Sequence, residues 1–425
     1  MTGERALAAL VREQRWFGSK SRALAGGRTV DSVALPPECV LALFQAEFAE
    51  GGSELYQLPY RVAEDGEKVL GLADPPLALA LLAALRRSTR VPTAAGEIEF
   101  ELTAALPGDD ALEAVRTVGA EQSNSSVVFG ERCILKAYRR LEAGESPELE
   151  MLRFLDAHGF EHTPRLLGWY GYSGPRLTAT LGILQEFVPG ARDGWQDALD
   201  SLADPAQFLS RLRRLGEVTA RMHAVLCSAD GDPAFAAEER GHWVEAEAQT
   251  WLAEAPEPIR ARSDEVLDRL RALHRLGRGG KAIRQHGDYH LGQVLWARGE
   301  WLVLDFEGEP ARPLAERRQK STPLRDVAGM LRSFAYVAET GRSRGTPPPP
   351  DWERDARSAF LGGYEAMIDE SLLPAAGERR DALLAACELE KALYELRYEL
   401  DNRPDWVHVP LAGIVRLLDG SSSAS

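Results

Sequence analysis

In His286-Gly287-Asp288-Tyr289-His290-Leu291-Gly292-Gln293-Val294-Leu295 a carboxylate stands five positions before an amide, and Leu302-Val303-Leu304-Asp305-Phe306-Glu307-Gly308 brings a second carboxylate twelve positions after it. Two short β-like patches, 294–296 and 301–305, are separated by the turn-like 297–300 and form a hairpin that delivers the second carboxylate. Magnesium-dependent phosphoryl transfer asks for such a set: Asp288 to take the proton of the acceptor hydroxyl, and the Gln293 amide oxygen with Asp305 to hold the metal against phosphates. Either aspartate alone would more often be an acidic turn residue. The joint spacing, flanked by β-like segments, makes the set a candidate site.

A kinase makes demands elsewhere in the chain. Lys136 lies in the strand candidate 132–138, where alternation aims Ile134, Lys136 and Tyr138 to one side. Glu150 falls in the first turn of the helix expected over 147–158, placed to pair with Lys136 so that the lysine meets the α and β phosphates. In the turn before the hairpin, Gln122, Ser123, Asn124 and Ser125 offer hydroxyls, amides and backbone N–H groups that could cover the terminal phosphates. The chain has neither G-x-G-x-x-G nor G-x-x-x-x-G-K-[ST]. At 185–190 the backbone of Glu186 and Val188 could hydrogen-bond an adenine ring, with Ile134, Leu184 and Phe187 as apolar surface.

These residues need a scaffold, and the chain supplies one. At 425 residues with 44% hydrophobic content it can bury a core divided into two or three packed parts. Short β-like segments at 39–44 and 55–62, then a helix over 76–87, suggest an N-terminal subdomain over 1–90. A second sheet unit follows over 91–188, with strands at 98–102, 114–118, 126–129, 132–138, 165–170 and 181–188. From 189 to 425 helical spacing dominates, at 208–225, 243–273, 327–338 and 382–400. The four consecutive prolines in 341–350 mark a loop, and 421–425 a disordered tail.

Composition narrows the partners. With 50 Lys and Arg against 65 Asp and Glu, a net charge of −15, the chain lacks the positive field that nucleic acid or acidic lipid requires. Arg317-Arg318-Gln319-Lys320 is a short basic patch without a reader fold. The longest apolar run, 75–85, is too short to span a bilayer, and 6–11 too short for a secretory core. The four cysteines stand far apart and read as reduced and buried. A soluble, cytoplasmic protein that binds no nucleic acid and no membrane is expected.

Lys136, Glu150, His286-Gly287-Asp288 with Gln293, and Asp305 together resemble the aminoglycoside-phosphotransferase-like branch of the eukaryotic-type kinase fold. More narrowly, Gln14-Arg15-Trp16-Phe17-Gly18-Ser19-Lys20, 286–295, Asp305-Phe306-Glu307-Gly308-Glu309-Pro310, 394–399 and Asn402-Arg403-Pro404-Asp405-Trp406 resemble bacterial maltokinase. The resemblance implies an α+β, bilobal protein-kinase-like fold with an added N-terminal cap subdomain and a mainly helical C-lobe. It implies ATP and Mg2+ as cofactors, maltose 1-phosphate as product, supply to α-glucan synthesis, and association with a trehalose-isomerising enzyme. Carried over by residue, Asp288 is the base, Gln293 and Asp305 the magnesium ligands, and Lys136 with Glu150 the phosphate-positioning pair. Gln293 stands where many kinases have Asn, and Glu307 could assist the metal through water. In the block at 14–20, Trp16 and Phe17 would anchor the segment in apolar surface while Lys20 pairs with a carboxylate.

A sugar pocket needs carboxylates and amides for hydroxyls and aromatic faces for C–H surfaces. Tyr394, Glu395, Tyr398 and Glu399 share helix faces in pairs, and His290, Arg312, Arg325, Asn402, Arg403 and Trp406 complete the candidates. A related family phosphorylates glucosamine, receiving its amine on acidic residues, and is the alternative to maltose. A catalytically inactive ATP-binding regulatory protein is the rival of a different class. Retention of Lys136, Glu150, Asp288, Gln293 and Asp305 argues against it, and the absence of an A-P-E block argues against a protein kinase.

Overall fold

The computed structural model describes residues 3–14, 17, 19–20, 22–36, 38–62, 68–118, 124–228, 232–239, 245–276, 280–309 and 312–419. The chain forms two compact units, one of 1–156 with 164–190 and one of 157–163 with 191–425.

In the first unit, Leu24–Leu35, Cys39–Phe48 and Ser53–Val62 form an antiparallel meander, with Lys68–Leu70 on the third strand. The middle strand is apolar on both faces because each face meets a different core. Cys39, Leu41 and Leu43 enter one; Ala42, Phe44, Ala46 and Phe48 enter the other, with Leu7 and Val11 of the helix Gly3–Glu13. Phe17 belongs to that second core, its ring near Phe48 and Tyr56. Trp16 and Gly18 of the same block lie outside the described residues. Among the described residues it is Ser19, rather than the exposed Lys20, that meets a carboxylate, hydrogen-bonding both oxygens of Glu54 at 3.0 and 2.9 Å.

A seven-stranded antiparallel sheet follows, ordered Arg90–Pro92, Glu97–Leu102, Leu166–Gly174, Leu177–Glu186, Cys133–Tyr138, Asn124–Phe129 and Val115–Val118. The helix Pro75–Arg87 lays Leu77, Leu81 and Leu85 into a core that holds Val33 and Leu41 of the meander together with Phe100, Leu135 and Leu181 of this sheet. That core therefore runs without a break across residue 90. Polar contacts tie the same two sheets. The fully buried Gln57 donates to the carbonyls of Tyr138 at 2.8 Å and Leu181 at 2.5 Å and accepts from the Tyr170 hydroxyl at 3.0 Å. Asp31 accepts from the backbone of Ala94 and Ala95 and from the Tyr172 hydroxyl.

The second unit is largely helical around a three-stranded sheet of Arg192–Asp193, Val294–Ala297 and Glu300–Val303. The expected helix over 243–273 is instead three, Glu245–Glu254, Glu257–Arg260 and Ser263–Leu276. Pro256 and Pro258 interrupt it, since proline lacks the N–H that a continuing helix needs. The helix Leu324–Ser343 runs into the segment read as loop, stopping short of Pro347–Pro350, and Trp352–Met367 is a helix where the sequence suggested none. The helices Ala206–Leu226 and Trp352–Met367 pack at backbone distance: a Cβ on Gly363 would lie 1.9 Å from the Arg213 carbonyl oxygen. All four cysteines are free, with Cys39, Cys133 and Cys387 buried and Cys227 half-buried. Among the described residues no helix is long and apolar enough to cross a membrane.

Because the core spans residue 90, removing residues 1–90 would take away Val33, Leu41 and Leu81, expose the sides of Phe100, Leu135 and Leu181 packed against them, and leave Leu181 O and Tyr138 O without Gln57. The truncated chain should be insoluble, or lose most of its melting temperature when compared with the full chain by differential scanning fluorimetry. An unchanged melting temperature would show the meander to be dispensable.

Candidate active site

The loop that carries Asp288 is held by one buried carboxylate. Asp326, in the first turn of Leu324–Ser343, accepts from the backbone N–H groups of His286 and Gly287, each at 2.9 Å. His223 of Ala206–Leu226 stands 3.2 Å from the same carboxylate, and its other ring nitrogen meets the Tyr364 hydroxyl at 2.9 Å. Burial alone would raise the Asp326 carboxyl, but the His223 hydrogen bond, the neighbouring His223 and His286 and the Gly287 N–H hold it below its ordinary value. Gly287 has φ 85°, open to glycine at little cost, and Gly329 brings the helix so near that a Cβ there would lie 2.6 Å from the Tyr289 carbonyl oxygen. His286 Nε2 reaches the Leu304 carbonyl at 2.7 Å, joining the loop to the strand Glu300–Val303.

Asp288 Oδ1 accepts from Lys391 Nζ at 3.0 Å, and the same ammonium donates to Glu309 Oε1 at 2.8 Å. Burial would raise the Asp288 carboxyl; the charges of Lys391 and His290 overcome this and lower it to about 2. Glu309 also pairs with Arg312, while Glu390 accepts from Arg325 at 2.6 Å. These residues surround a recess lined by Gly287, Glu309, Arg312, Arg325, Glu390, Lys391 and Tyr394 among others. Lys391 escaped the sequence reading. The signal was available, since Cys387, Glu390, Lys391 and Tyr394 repeat at helical spacing on one face of Glu378–Asn402.

Gln293 Nε2 lies 3.1 Å from Asp305 Oδ2, so the hairpin does bring the amide and the second carboxylate together. Asp305 sits just past the strand with φ 62°, a left-handed conformation that aspartate adopts more readily than most residues. The amide oxygen of Gln293, the other branch of that group, and the Asp305 carboxylate are hard oxygen donors of the kind magnesium takes.

In the first unit, Lys136 Nζ meets Glu148 at 2.8 Å, where the sequence suggested Glu150. Glu148 lies on the buried stripe with Leu152 and Leu155, whereas Glu150 is only partly buried. Spacing from Leu152 would have found it. Glu148 also accepts from the Tyr138 hydroxyl at 2.8 Å. Ser125 is not in a covering turn: it lies within Asn124–Phe129, buried, its hydroxyl accepting from Arg139 at 2.7 Å. The cross-strand partners on the Lys136 face are Ser126, opposite Lys136, and Asn124, opposite Tyr138. Gln122 and Ser123 lie outside the described residues. At 185–190 the Glu186 N–H is bonded to Arg165 O at 2.9 Å, and the Val188 N–H has no intramolecular acceptor among the described residues.

The acceptor candidates divide. Arg312, Arg325 and Tyr394 line the recess, and His290 Nε2 is 3.8 Å from Asp288 Oδ2. Glu395 is instead taken by the buried Arg332 at 2.7 Å, and Glu399 accepts from Tyr336 at 3.2 Å and Arg403 at 2.7 Å. Trp406 stacks on Tyr336, Asn402 donates to the Tyr398 carbonyl, and Tyr398 is 44% exposed. None of these lines the recess, because they occupy other faces of the same helix or follow its end.

Asp326→Asn would turn an NH2 group toward backbone N–H donors and leave one of them unsatisfied. A loss of about 2–4 kcal/mol in unfolding free energy is expected by chemical denaturation at pH 7. Because the folded carboxyl is lowered, its contribution is present above the unfolded pKa and lost as pH falls through the folded value. The acid side of the wild-type stability curve should therefore be steeper than that of the variant; equal slopes would remove Asp326 from this role.

The profile of the phosphotransferase enzyme family matches residues 114–367, and that of the maltokinase N-terminal cap domain matches 11–90. A glucosamine kinase of Streptacidiphilus jiangxiensis is 31% identical over 80% of this chain and 80% of its own. One of Mycolicibacterium smegmatis (strain ATCC 700084 / mc(2)155) is 33% identical over 72% of this chain and 80% of its own. A solved glucosamine kinase in complex with glucosamine, ADP and inorganic phosphate superposes with a TM-score of 0.70, covering 98% of this chain and 97% of that one at 24% identity, a likeness of fold. These relatives overturn the maltokinase reading, and with it maltose 1-phosphate, supply to α-glucan synthesis and the trehalose-isomerising partner lose their support. Two of the blocks that suggested it serve packing: Phe17 fills the core beneath the cap meander, and Trp406 stacks on Tyr336 outside the recess. The fold is the bilobal, α+β kinase-like fold with a cap region and a largely helical C-lobe, and the chain belongs to the phosphotransferase enzyme family.

Proposed function

We propose that this chain transfers the γ-phosphoryl group of ATP to a hydroxyl of an amino sugar, glucosamine first among them. The observation that carries this reading is the identity of 31% and 33% to two glucosamine kinases over most of the chain. The recess fits a cationic, hydroxyl-rich acceptor. Glu309 and Glu390 present buried carboxylates there, and each keeps lone pairs beyond those given to Lys391, Arg312 and Arg325.

Asp288 is the proton acceptor in this reading. A carboxylate lowered to about 2 stays ionised at neutral pH, so it receives a hydrogen bond from the acceptor hydroxyl and orients it. The proton passes late, as the new oxygen–phosphorus bond forms and the hydroxyl becomes acidic. Gln293 and Asp305 would hold magnesium, which when bound to ATP neutralises charge on the phosphates. Lys136, kept in place by Glu148, extends a cation from its strand for the nucleotide phosphates, with Ser126 and Asn124 on the same face. The Val188 N–H and Glu186 carbonyl are the groups offered to the adenine edge.

Purified protein given Mg, ATP and a panel of glucosamine, glucose, maltose, trehalose and an aminoglycoside should show its highest kcat/KM with glucosamine, measured by ADP release and by mass of the phosphorylated product. A tenfold preference for a neutral sugar, about 1.4 kcal/mol of discrimination, would refute the amino-sugar assignment.

Two variants separate the roles. Asp305→Ala should remove Mg-dependent turnover from a folded protein, whereas Asp288→Asn should lose kcat with little change in nucleotide affinity. An Asp288→Asn enzyme altered only in its KM for ATP would contradict the assignment of the base.

A further inference from the structure

We infer that Lys391 is a positioning residue for phosphotransfer: by fixing Oδ1 of Asp288 it turns the other oxygen, Oδ2, toward the acceptor hydroxyl. This rests on the reading of Asp288 as proton acceptor. The geometry that supports it lies wholly within the second unit. Lys391 projects from Glu378–Asn402, 103 positions along the chain from Asp288, with a side chain only 15% exposed. An ammonium withdrawn from water needs acceptors for its three N–H groups. It finds Asp288 Oδ1 at 3.0 Å and Glu309 Oε1 at 2.8 Å, with the ring of Tyr394 at 4.8 Å.

The two oxygens of Asp288 are thereby made unequal. Oδ1 is occupied; Oδ2 has no hydrogen bond among the described residues, His290 Nε2 standing off at 3.8 Å. Without the lysine the carboxylate could rotate, and either oxygen could face the hydroxyl. Glu309 completes the device: it is itself gripped by Arg312, so the ammonium is anchored from behind. Lysine suits this task better than arginine, because a point donor can take one oxygen where a planar fork tends to take both.

The groups that face Asp288 are Lys391 from the helix and His290 and His286 from its own loop, with Glu309 across the ammonium. Lys391 is the strongest of the influences that keep the carboxyl low against burial. Its removal should therefore let Asp288 protonate at higher pH and move the acid limb of activity upward.

The test uses the full chain with glucosamine, Mg and ATP, and measures kcat, KM for ATP, melting temperature and the pH dependence of kcat for wild type, Lys391→Met, Lys391→Arg and Asp288→Asn. Lys391→Met should lose at least tenfold in kcat with KM for ATP within twofold of wild type, and its acid limb should rise by a pH unit or more. Lys391→Arg keeps the cation, so its acid limb should stay at the wild-type position while kcat falls at least fivefold through the changed geometry. A lysine that only supports the fold would lower the melting temperature and leave kcat and the acid limb of the folded enzyme at wild-type values, which would overturn the inference. If Lys391→Met does not fold, wild-type kcat in Lys391→Arg overturns it equally. Wild-type turnover by Asp288→Asn would instead remove the underlying reading of the base, an outcome distinct from wild-type behaviour of the lysine variants alone.

Discussion

The second unit is organised around the two backbone N–H groups that Asp326 accepts. The residues His286 and Gly287 belong to no helix or strand, and a loop that gives up solvent needs partners for its backbone donors. One carboxylate meets both, and it is steadied by His223, which is steadied in turn by Tyr364. Three helices thus converge on the residues immediately before Asp288. The position of that aspartate is a property of helix packing as much as of its own loop, and the close crossing at Gly363 and the near approach at Gly329 belong to the same arrangement.

Much of this was legible from the chain. The Asp288, Gln293 and Asp305 spacing announced a hairpin that joins the last two, and the structure has them 3.1 Å apart. Strand alternation set Ile134, Lys136 and Tyr138 on one face, and Tyr138 and Lys136 do share Glu148. What the sequence obscured were partners chosen by packing. Glu148 and Glu150 are equivalent as acids at a helix start, and only the buried stripe distinguishes them. Lys391 reads as one more charge on a long charged helix until Glu309 and Asp288 are seen around it. Two prolines at 256 and 258 were outweighed by helical spacing on either side, although they decide the local structure.

The acceptor was the least legible feature, for a physical reason. Segments rich in aromatic and paired charged residues stand out in a sequence, but here several of them serve packing: Phe17 fills the core beneath the cap meander, and Trp406, Arg403 and Glu399 form a cluster around Tyr336. The recess is lined by less conspicuous residues, dispersed from Gln285 to Tyr394 and meeting only in the fold.

The helix Glu378–Asn402 keeps two occupations on separate faces. Cys387, Glu390, Lys391 and Tyr394 look into the recess, while Glu388, Glu395 and Glu399 are bound to Arg357, Arg332 and Tyr336 of its neighbours. That separation gives the protein room to evolve. With the recess as the acceptor site proposed above, substitutions on the first face would alter which acceptor is received while the second face continues to dock the helix. A mutagenesis library aimed at new acceptors has its natural targets at 387 and 394, and its forbidden positions at 388, 395 and 399.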